Sequence, residues 1–366
     1  MIGKRTLTVR LFSTTRLVQS PPLVDAAWLH SQLSTANSIN SNIKLLDASY
    51  HIPLRLRIPS TPETMKEKIR SALGMGSYLR LENESPHVQD ILVKSDDEVD
   101  GSVARDAKAL FADGQRIQDS QFFDLSVIRD VLKSQPLIAP SHEDFGGFMD
   151  ELGIRNSDHV VVYDTVGIHS SPRAWWIFKL MGHENVSVLD GGLPEWIKSG
   201  YPVINITTSK STTNSDPVEK YIAHHQSTRV KEYQDMMGIV VDLMAVSRPI
   251  ILDVRDRERH LGVGVDPLHT TKKMGTIPGS INIHWKEFLD GNKLKKPLDI
   301  IRTFKGPGRS VNLDHDLVIY GNDGISAAVV CLALEVLGKE SGVAVYDGGW
   351  AEWGMNDASP ITHKGY

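Results

Sequence analysis

Two tandem α/β domains, each a mostly parallel sheet flanked by helices, are predicted for this chain of 366 residues. Three observations carry that expectation. Short apolar runs ending in Asp or Gly read as buried strands, and they alternate with helical stretches, the pattern of a parallel sheet covered on both faces. The pattern also repeats: Tyr163 to Asp190 spans 27 residues, and so does Tyr320 to Asp347. Finally, Leu193-Pro-Glu-Trp196 returns as Trp350-Ala-Glu-Trp353 at the same offset of 157, which marks an internal duplication.

Taken in order, the chain opens on a basic leader. Met1 to Pro22 carries Lys4, Arg5, Arg10 and Arg16 with several Ser and Thr, and the first acid is Asp25. An acid-free, hydroxyl-rich basic segment of this kind reads as a mitochondrial transit peptide over residues 1–21, with a disordered basic tail as the alternative, and the expected location is mitochondrial with a cytoplasmic pool as a further option. Asp25 is placed to cap a helix through Trp28 and Leu29. Ile43-Lys-Leu-Leu-Asp47 reads as a strand ending in an acid. Met65 to Leu73 has helical character, and Lys94 to Asp100 is an acidic run that reads as a solvated loop. Phe122-Phe123-Asp124 returns the chain to the core.

His159 to Tyr163 is the next strand, and Asp164 to His169 the loop after it. Ser170-Ser-Pro-Arg173 opens a helix with Pro172 in its first turn, where a missing N–H costs nothing. Ser170 or Ser171 is expected to cap it, in preference to a Ser–His catalytic pairing with His169. Trp175 and Trp176 read as core and interface packing. Thr207 to Pro217 holds seven Ser or Thr in eleven residues and reads as linker. The expected divisions are an N-terminal domain over 22–206, a linker over 207–228, a C-terminal domain over 229–354 and a tail over 355–366. Asp47 to Tyr163 spans 116 residues and Asp253 to Tyr320 only 67, so the first copy carries an insertion of 49, placed within about 60–115.

Composition excludes several classes. Apolar residues make up 40% and charged residues 23%, and the net charge is −5, so neither nucleic acid nor an anionic membrane is an expected partner. The single cysteine, Cys331, allows no intramolecular disulfide and no Cys-based zinc site. His224-His225 lacks further ligands at fixed spacing and reads as linker polarity. Neither metal nor cofactor is expected.

The stretch most suited to chemistry is Leu317 to Gly338. Four apolar residues form a strand, Gly321 to Gly324 a tight loop, and Ile325 to Leu337 a buried helix stopped by Gly338. Such a strand–loop–helix aims backbone N–H groups and about half a positive charge at whatever occupies the loop. It is an anion cradle, and it would lower the pKa of a thiol placed in it.

The duplicated motifs resemble the tandem-domain rhodanese family of thiosulfate and 3-mercaptopyruvate sulfurtransferases. The residues that carry the resemblance are Val161-Val-Tyr-Asp164, Ser171-Pro-Arg-Ala-Trp-Trp176, Leu189-Asp-Gly-Gly-Leu-Pro-Glu-Trp196, Ile277-Pro-Gly-Ser280 and Tyr346-Asp-Gly-Gly-Trp-Ala-Glu-Trp353, and it covers roughly residues 22–354. It implies a sulfur relay: a loop cysteine takes sulfane sulfur from an anionic donor as a persulfide and passes it to a thiophilic acceptor, small molecule or relay protein. The resemblance places that cysteine at Gly321. The active-site loop is then Gly321, Asn322, Asp323, Gly324, Ile325 and Ser326, and Arg259 matches a substrate-binding arginine. A second such arginine falls near His269, and Thr276 replaces a usual histidine. Asp323 sets a carboxylate where an anionic donor would sit.

Three functions follow from these residues. One is a sulfurtransferase-family protein whose own persulfide step is impaired and which acts by binding in a sulfur relay. A second is a working sulfurtransferase with its nucleophile elsewhere, for which Cys331 is the only thiol. The third is a phosphatase or hydrolase on the same fold, against which the missing loop cysteine counts equally.

Overall fold

The computed structural model describes residues 20–35, 42–50, 107–133, 135, 137–205, 219–242, 248–263 and 271–363. Residues 1–19 of the leader, the helix expected at Met65 to Leu73, the acidic run, most of the 60–115 insertion, the Thr207 to Pro217 linker and His269 lie outside them.

The first half runs β1 (Leu23–Val24), α1 (Ala26–Thr35), β2 (Ile43–Asp47), α2 (Ala107–Asp113), β3 (Arg116–Ile117), β4 (Gln121–Phe122), α3 (His142–Glu151), β5 (His159–Tyr163), α4 (Ser171–Leu180), β6 (Val186–Leu189), α5 (Gly192–Lys198) and β7 (Val203–Ile204). The second runs β8 (Val230–Lys231), α6 (Tyr233–Val241), β9 (Ile250–Asp253), α7 (Arg257–Leu261), β10 (Ile281–Asn282), a 3₁₀ turn (Trp285–Phe288), β11 (Leu289–Asp290), β12 (Lys293–Leu294), α8 (Pro297–Phe304), β13 (Leu317–Tyr320), α9 (Ile325–Val336), β14 (Val343–Tyr346) and α10 (Gly349–Trp353).

Each half builds a five-stranded parallel sheet, ordered β1-β6-β5-β2-β4 in the first and β8-β14-β13-β9-β10 in the second. The two orders are the same once each strand is matched to its copy. The register is duplicated as well: Asp47 pairs with Tyr163, and Asp253 with Tyr320. The expected Asp25 cap is present, with Trp28 N donating to Asp25 Oδ1 at 2.7 Å.

The two domains share a core. Every residue of α4 is buried, as are all the apolar residues of α9 from Ile325 to Leu334. The two helices pack on each other, and each also packs on a strand of its own sheet. A helix covered on two sides has no wet face, which is why α9 reads as a continuous apolar run rather than an amphipathic one. Trp175 and Trp176 belong to the cluster that joins the domains. The charges at this interface are paired: the half-exposed Glu184 and the partly buried Glu335 both meet Lys179 Nζ, and Arg229 reaches Glu335 at 3.6 Å.

Candidate active site

Both loops leave the carboxyl end of the central strand of their sheet, the place where open parallel sheets hold ligands. In the C-terminal domain the chain leaves β13 at Tyr320, turns through Gly321–Gly324 and enters α9 at Ile325. Gly324 caps the helix at φ 86°, a left-handed conformation that favours glycine. Asp323 Oδ1 accepts from Ile325 N at 3.3 Å.

The Asp-Gly-Gly motif grips this loop. Trp350 N donates to Gly321 O and Ala351 N to Asn322 O, both at 3.0 Å. Gly349 must be glycine on two counts: φ is 54°, and a β-carbon there would stand 2.9 Å from Gly321 O and closer still to Asn322 O. The first domain repeats the device, with Leu193 N donating to Asp164 O at 3.0 Å and Gly192 at φ 53°. The repeated motif thus turns the loop carbonyls toward the next helix start and leaves the loop's own amides for the cradle.

The two cradles differ in content. In the N-terminal domain the cradle is filled by the chain itself. Asp164 Oδ1 accepts from Val166 N at 3.0 Å and Gly167 N at 2.7 Å. Its Oδ2 accepts from His169 N and Ser170 N at 3.1 Å, Ser171 N at 2.9 Å and Ser171 Oγ at 2.7 Å. This corrects the expected serine cap. Ser170 stands at the N-cap without a side-chain capping bond, its hydroxyl instead accepting from Tyr50 N, and the Asp164 carboxylate serves the helix start. A charged acceptor satisfies several first-turn donors where a hydroxyl satisfies one. The helix starts differ by 325 − 171 = 154 while the loop starts differ by 321 − 164 = 157, so the first loop spends three more residues wrapping its carboxylate.

In the C-terminal domain the matching residue is Gly321, which brings no side chain. A β-carbon on Gly321 would overlap Ser326 Oγ and stand 3.6 Å from Ala327 N. The Ala327 amide therefore lies beside the position a side chain at 321 would take, and the Ser326 hydroxyl occupies it. Cys331 is two turns further along α9, buried, its thiol pushed up to about 12 by desolvation. A thiol with that pKa carries almost no thiolate at neutral pH and behaves as a small hydrophobe.

Below the strand ends lies a buried polar cluster. Asp253 accepts from Arg255 Nε at 3.0 Å and Nη2 at 2.7 Å, from Tyr320 Oη at 2.8 Å and from Thr276 Oγ1 at 3.0 Å, with His260 Nδ1 at 3.0 Å. Arg255 also donates to Gly275 O at 2.8 Å and lies 4.2 Å from the Trp350 ring centroid, so it is spent on structure. Desolvation would raise the Asp253 carboxyl, but Arg255 and His260 outweigh it and hold it well below the usual carboxylate range. Thr276 stands at the centre of this cluster. Arg259 sits on α7, after the neighbouring strand β9, with Nε on the carboxylate of Asp256. Among the described residues no group of three His, Cys, Asp or Glu gathers as a metal site, and no helix is long and apolar enough to cross a membrane.

The rhodanese-like domain profile matches residues 99–199 and again 236–356. The chain belongs to the rhodanese family. Thiosulfate sulfurtransferase of Rattus norvegicus is 33% identical to this rhodanese over 68% of the chain and 80% of its own length. A thiosulfate/3-mercaptopyruvate sulfurtransferase of Arabidopsis thaliana, named as mitochondrial, is 29% identical over 96% of the chain and 80% of its own length. Among solved structures, a 3-mercaptopyruvate sulfotransferase from Escherichia coli is 25% identical, with a TM-score of 0.63 over 90% of this chain and 99% of that one. The rhodanese resemblance and the two-domain fold expected from the sequence are both met. Sulfur transfer is the function of the family this chain is in.

The structure brings the six loop residues together and leaves Arg259 paired on its own helix. Sequence reasoning missed Arg173 and Asp347, which meet across the domain interface. A signal was present: an arginine in the otherwise apolar helix Ser171–Leu180 needs a buried partner, because a lone buried charge is costly.

Proposed function

We propose that this rhodanese takes part in sulfur relay by binding, holding the sulfur anion of a donor or of a relay protein in the C-terminal cradle without forming a persulfide of its own. The observation that carries the reading is the side-chain-free Gly321 at the nucleophile's place, bordered by Ser326 and with Cys331 buried away from it. An amide cradle supports anion binding whether or not a thiol is present, since backbone N–H groups and the helix start supply the field. Asp323 opposes small free anions, which favours a protein-borne sulfur group over thiosulfate as the physiological ligand. Arg259 is the cation we assign to the mouth of the site.

The basic leader and the mitochondrial name of the plant relative support a mitochondrial destination. A reporter carrying residues 1–22 at its N-terminus should enter mitochondria, and a diffuse cytoplasmic reporter counts against it.

Mass spectrometry after thiosulfate treatment tests the central reading. The expected spectrum shows the unmodified mass. A stable adduct of about 32 Da, one sulfur atom, on Cys331 would establish a working persulfide enzyme instead.

A further inference from the structure

A buried cation of the other domain stands against the C-terminal cradle. Arg173, on α4, is fully buried; its Nη1 donates to Asp347 Oδ1 at 2.6 Å, its Nη2 to Leu137 O, and its guanidinium carbon lies 4.6 Å from the Trp176 ring centroid. The second oxygen of Asp347 accepts from Ala139 N at 2.8 Å. Gly324 is seated directly on this assembly. A β-carbon on it would stand 2.9 Å from both Arg173 Nη1 and Asp347 Oδ1, and 3.4 Å from Arg173 Cζ. Gly324 is the last residue before the helix whose first-turn amides form the cradle.

We propose that Arg173 is a positioning residue: from across the domain interface it fixes the Gly321–Ala327 loop in its amide-inward form, so that the cradle is complete only while the two domains are docked. The inference rests on the reading that this cradle holds an anion.

Three comparisons within the molecule support it. The filled cradle needs no outside organiser, because Asp164 gathers its amides itself. The residue matching Arg173 by its place in the helix, at the helix-start offset of 154, is Ala327, so the arginine stands only against the cradle that has no carboxylate at the position of Asp164. The interface also holds without a buried guanidinium on the pseudo-symmetric side. There Asp190 Oδ1 accepts from Leu294 N at 2.9 Å, and Asn292 Nδ2 donates to Gly191 O at 3.0 Å. Adhesion alone does not call for a buried ion pair, which an apolar pair of similar volume matches or betters. What the guanidinium adds is a rigid planar fork that fixes direction.

The experiment compares Asp347→Asn with Asp190→Asn, one substitution at each of the two matched interface bonds, in the full chain. Hydrogen exchange of the amides of 322–327 is read by mass spectrometry, with thiosulfate as binding probe and melting temperature as the measure of folding. Asp347→Asn is expected to raise loop exchange at least tenfold and to weaken thiosulfate at least fivefold. Asp190→Asn is expected to lower the melting temperature comparably and leave both loop readouts at wild-type values. Loop exchange should rise in the order wild type, Arg173→Lys, Arg173→Met, the lysine giving partial rescue. Equal loop exchange in Asp347→Asn and Asp190→Asn, or unchanged exchange in Arg173→Lys, overturns the proposal. If both the wild-type chain and its Asp323→Ser variant bind no thiosulfate while the exchange contrast holds, the positioning role stands and the anion-binding reading falls.

Discussion

The hydroxyl of Ser326 stands where a β-carbon on Gly321 would have to go. In the first domain the residue matching Gly321 is Asp164, and its carboxylate draws in five backbone amides and a hydroxyl. One duplicated loop is thus filled by its own carboxylate, and the other has no side chain on the matching residue, the Ser326 hydroxyl standing there instead. The self-satisfied loop differs from the receptive one by that carboxylate and by the three further residues that wrap it.

Restoring the cysteine alone should restore little. In Gly321→Cys the Ser326 hydroxyl must rotate aside, a small cost for a short side chain, but Asp323 still sets a carboxylate against an anionic donor. Two like charges about 4 Å apart near a protein surface repel by roughly 4 kcal/mol before screening. Thiocyanate formation from thiosulfate and cyanide should be absent in the wild type, weak in Gly321→Cys, and at least ten times faster in Gly321→Cys with Asp323→Ser. A robust enzyme from the single change would remove the electrostatic argument.

Cys331 should resist alkylation. With its thiol pushed up to about 12 and the side chain buried, iodoacetamide at pH 8 should leave it unmodified in the folded protein and label it in denaturant. Rapid labelling of the native protein would place the thiol within reach of a sulfur donor.

The matched acids Asp47 and Asp253 should respond to pH in opposite senses. Asp47 is pushed up to about 6 by burial, against hydrogen bonds from Ser49 that pull it down. Its folded pKa lies above the unfolded value near 3.9. Its favourable contribution is therefore complete below the unfolded value and is lost as pH rises through about 6, a change of up to roughly 3 kcal/mol. Denaturant titrations between pH 4 and 7 should show that falling component in the wild type and a flatter profile in Asp47→Asn. The same slope in both proteins would mean that Asp47 titrates normally.

Asp253 is depressed instead, so its contribution is present above the unfolded value and is lost as pH falls through the folded one. Asp253→Ala leaves Arg255 buried with Gly275 O as its remaining hydrogen-bond acceptor. The expected loss at pH 7 is about 3–5 kcal/mol, the cost of stranding one member of a buried pair. A loss below about 1 kcal/mol would show that the cluster relaxes around the missing carboxylate.

Gly349→Ala should damage the loop from behind. The substitution puts a β-carbon on a residue at φ 54° and against the carbonyls of Gly321 and Asn322. Left-handed backbone at a non-glycine residue costs on the order of 1–3 kcal/mol before the clash is added. Thermal melting should show a loss at least that large, and a neutral alanine would mean that the Asp-Gly-Gly turn does not hold the loop.

Much of this molecule was legible in the residues. Apolar runs ending at Asp47, Tyr163, Asp253 and Tyr320 identified the inner strands, and the offset of 157 showed that one architecture is used twice. These are local facts: strand burial follows from apolar runs, and a repeat of motif implies a repeat of fold. That the loop after β13 carries no cysteine was legible for the same reason, since it is a fact of the residues alone.

The contents of the two cradles were not legible. A carboxylate at position 164 could face solvent or fold inward, and the chain's hydrogen-bonding demand at the start of α4 decided it. Nor could spacing reveal that Arg173 and Asp347, 174 residues apart, meet at 2.6 Å beneath Gly324. The sequence by itself determined two copies of a rhodanese sheet and a C-terminal loop that contains no cysteine. Tertiary structure alone decided which loop fills itself and which is braced by the other domain, because buried polar groups choose partners by proximity in space and not along the chain.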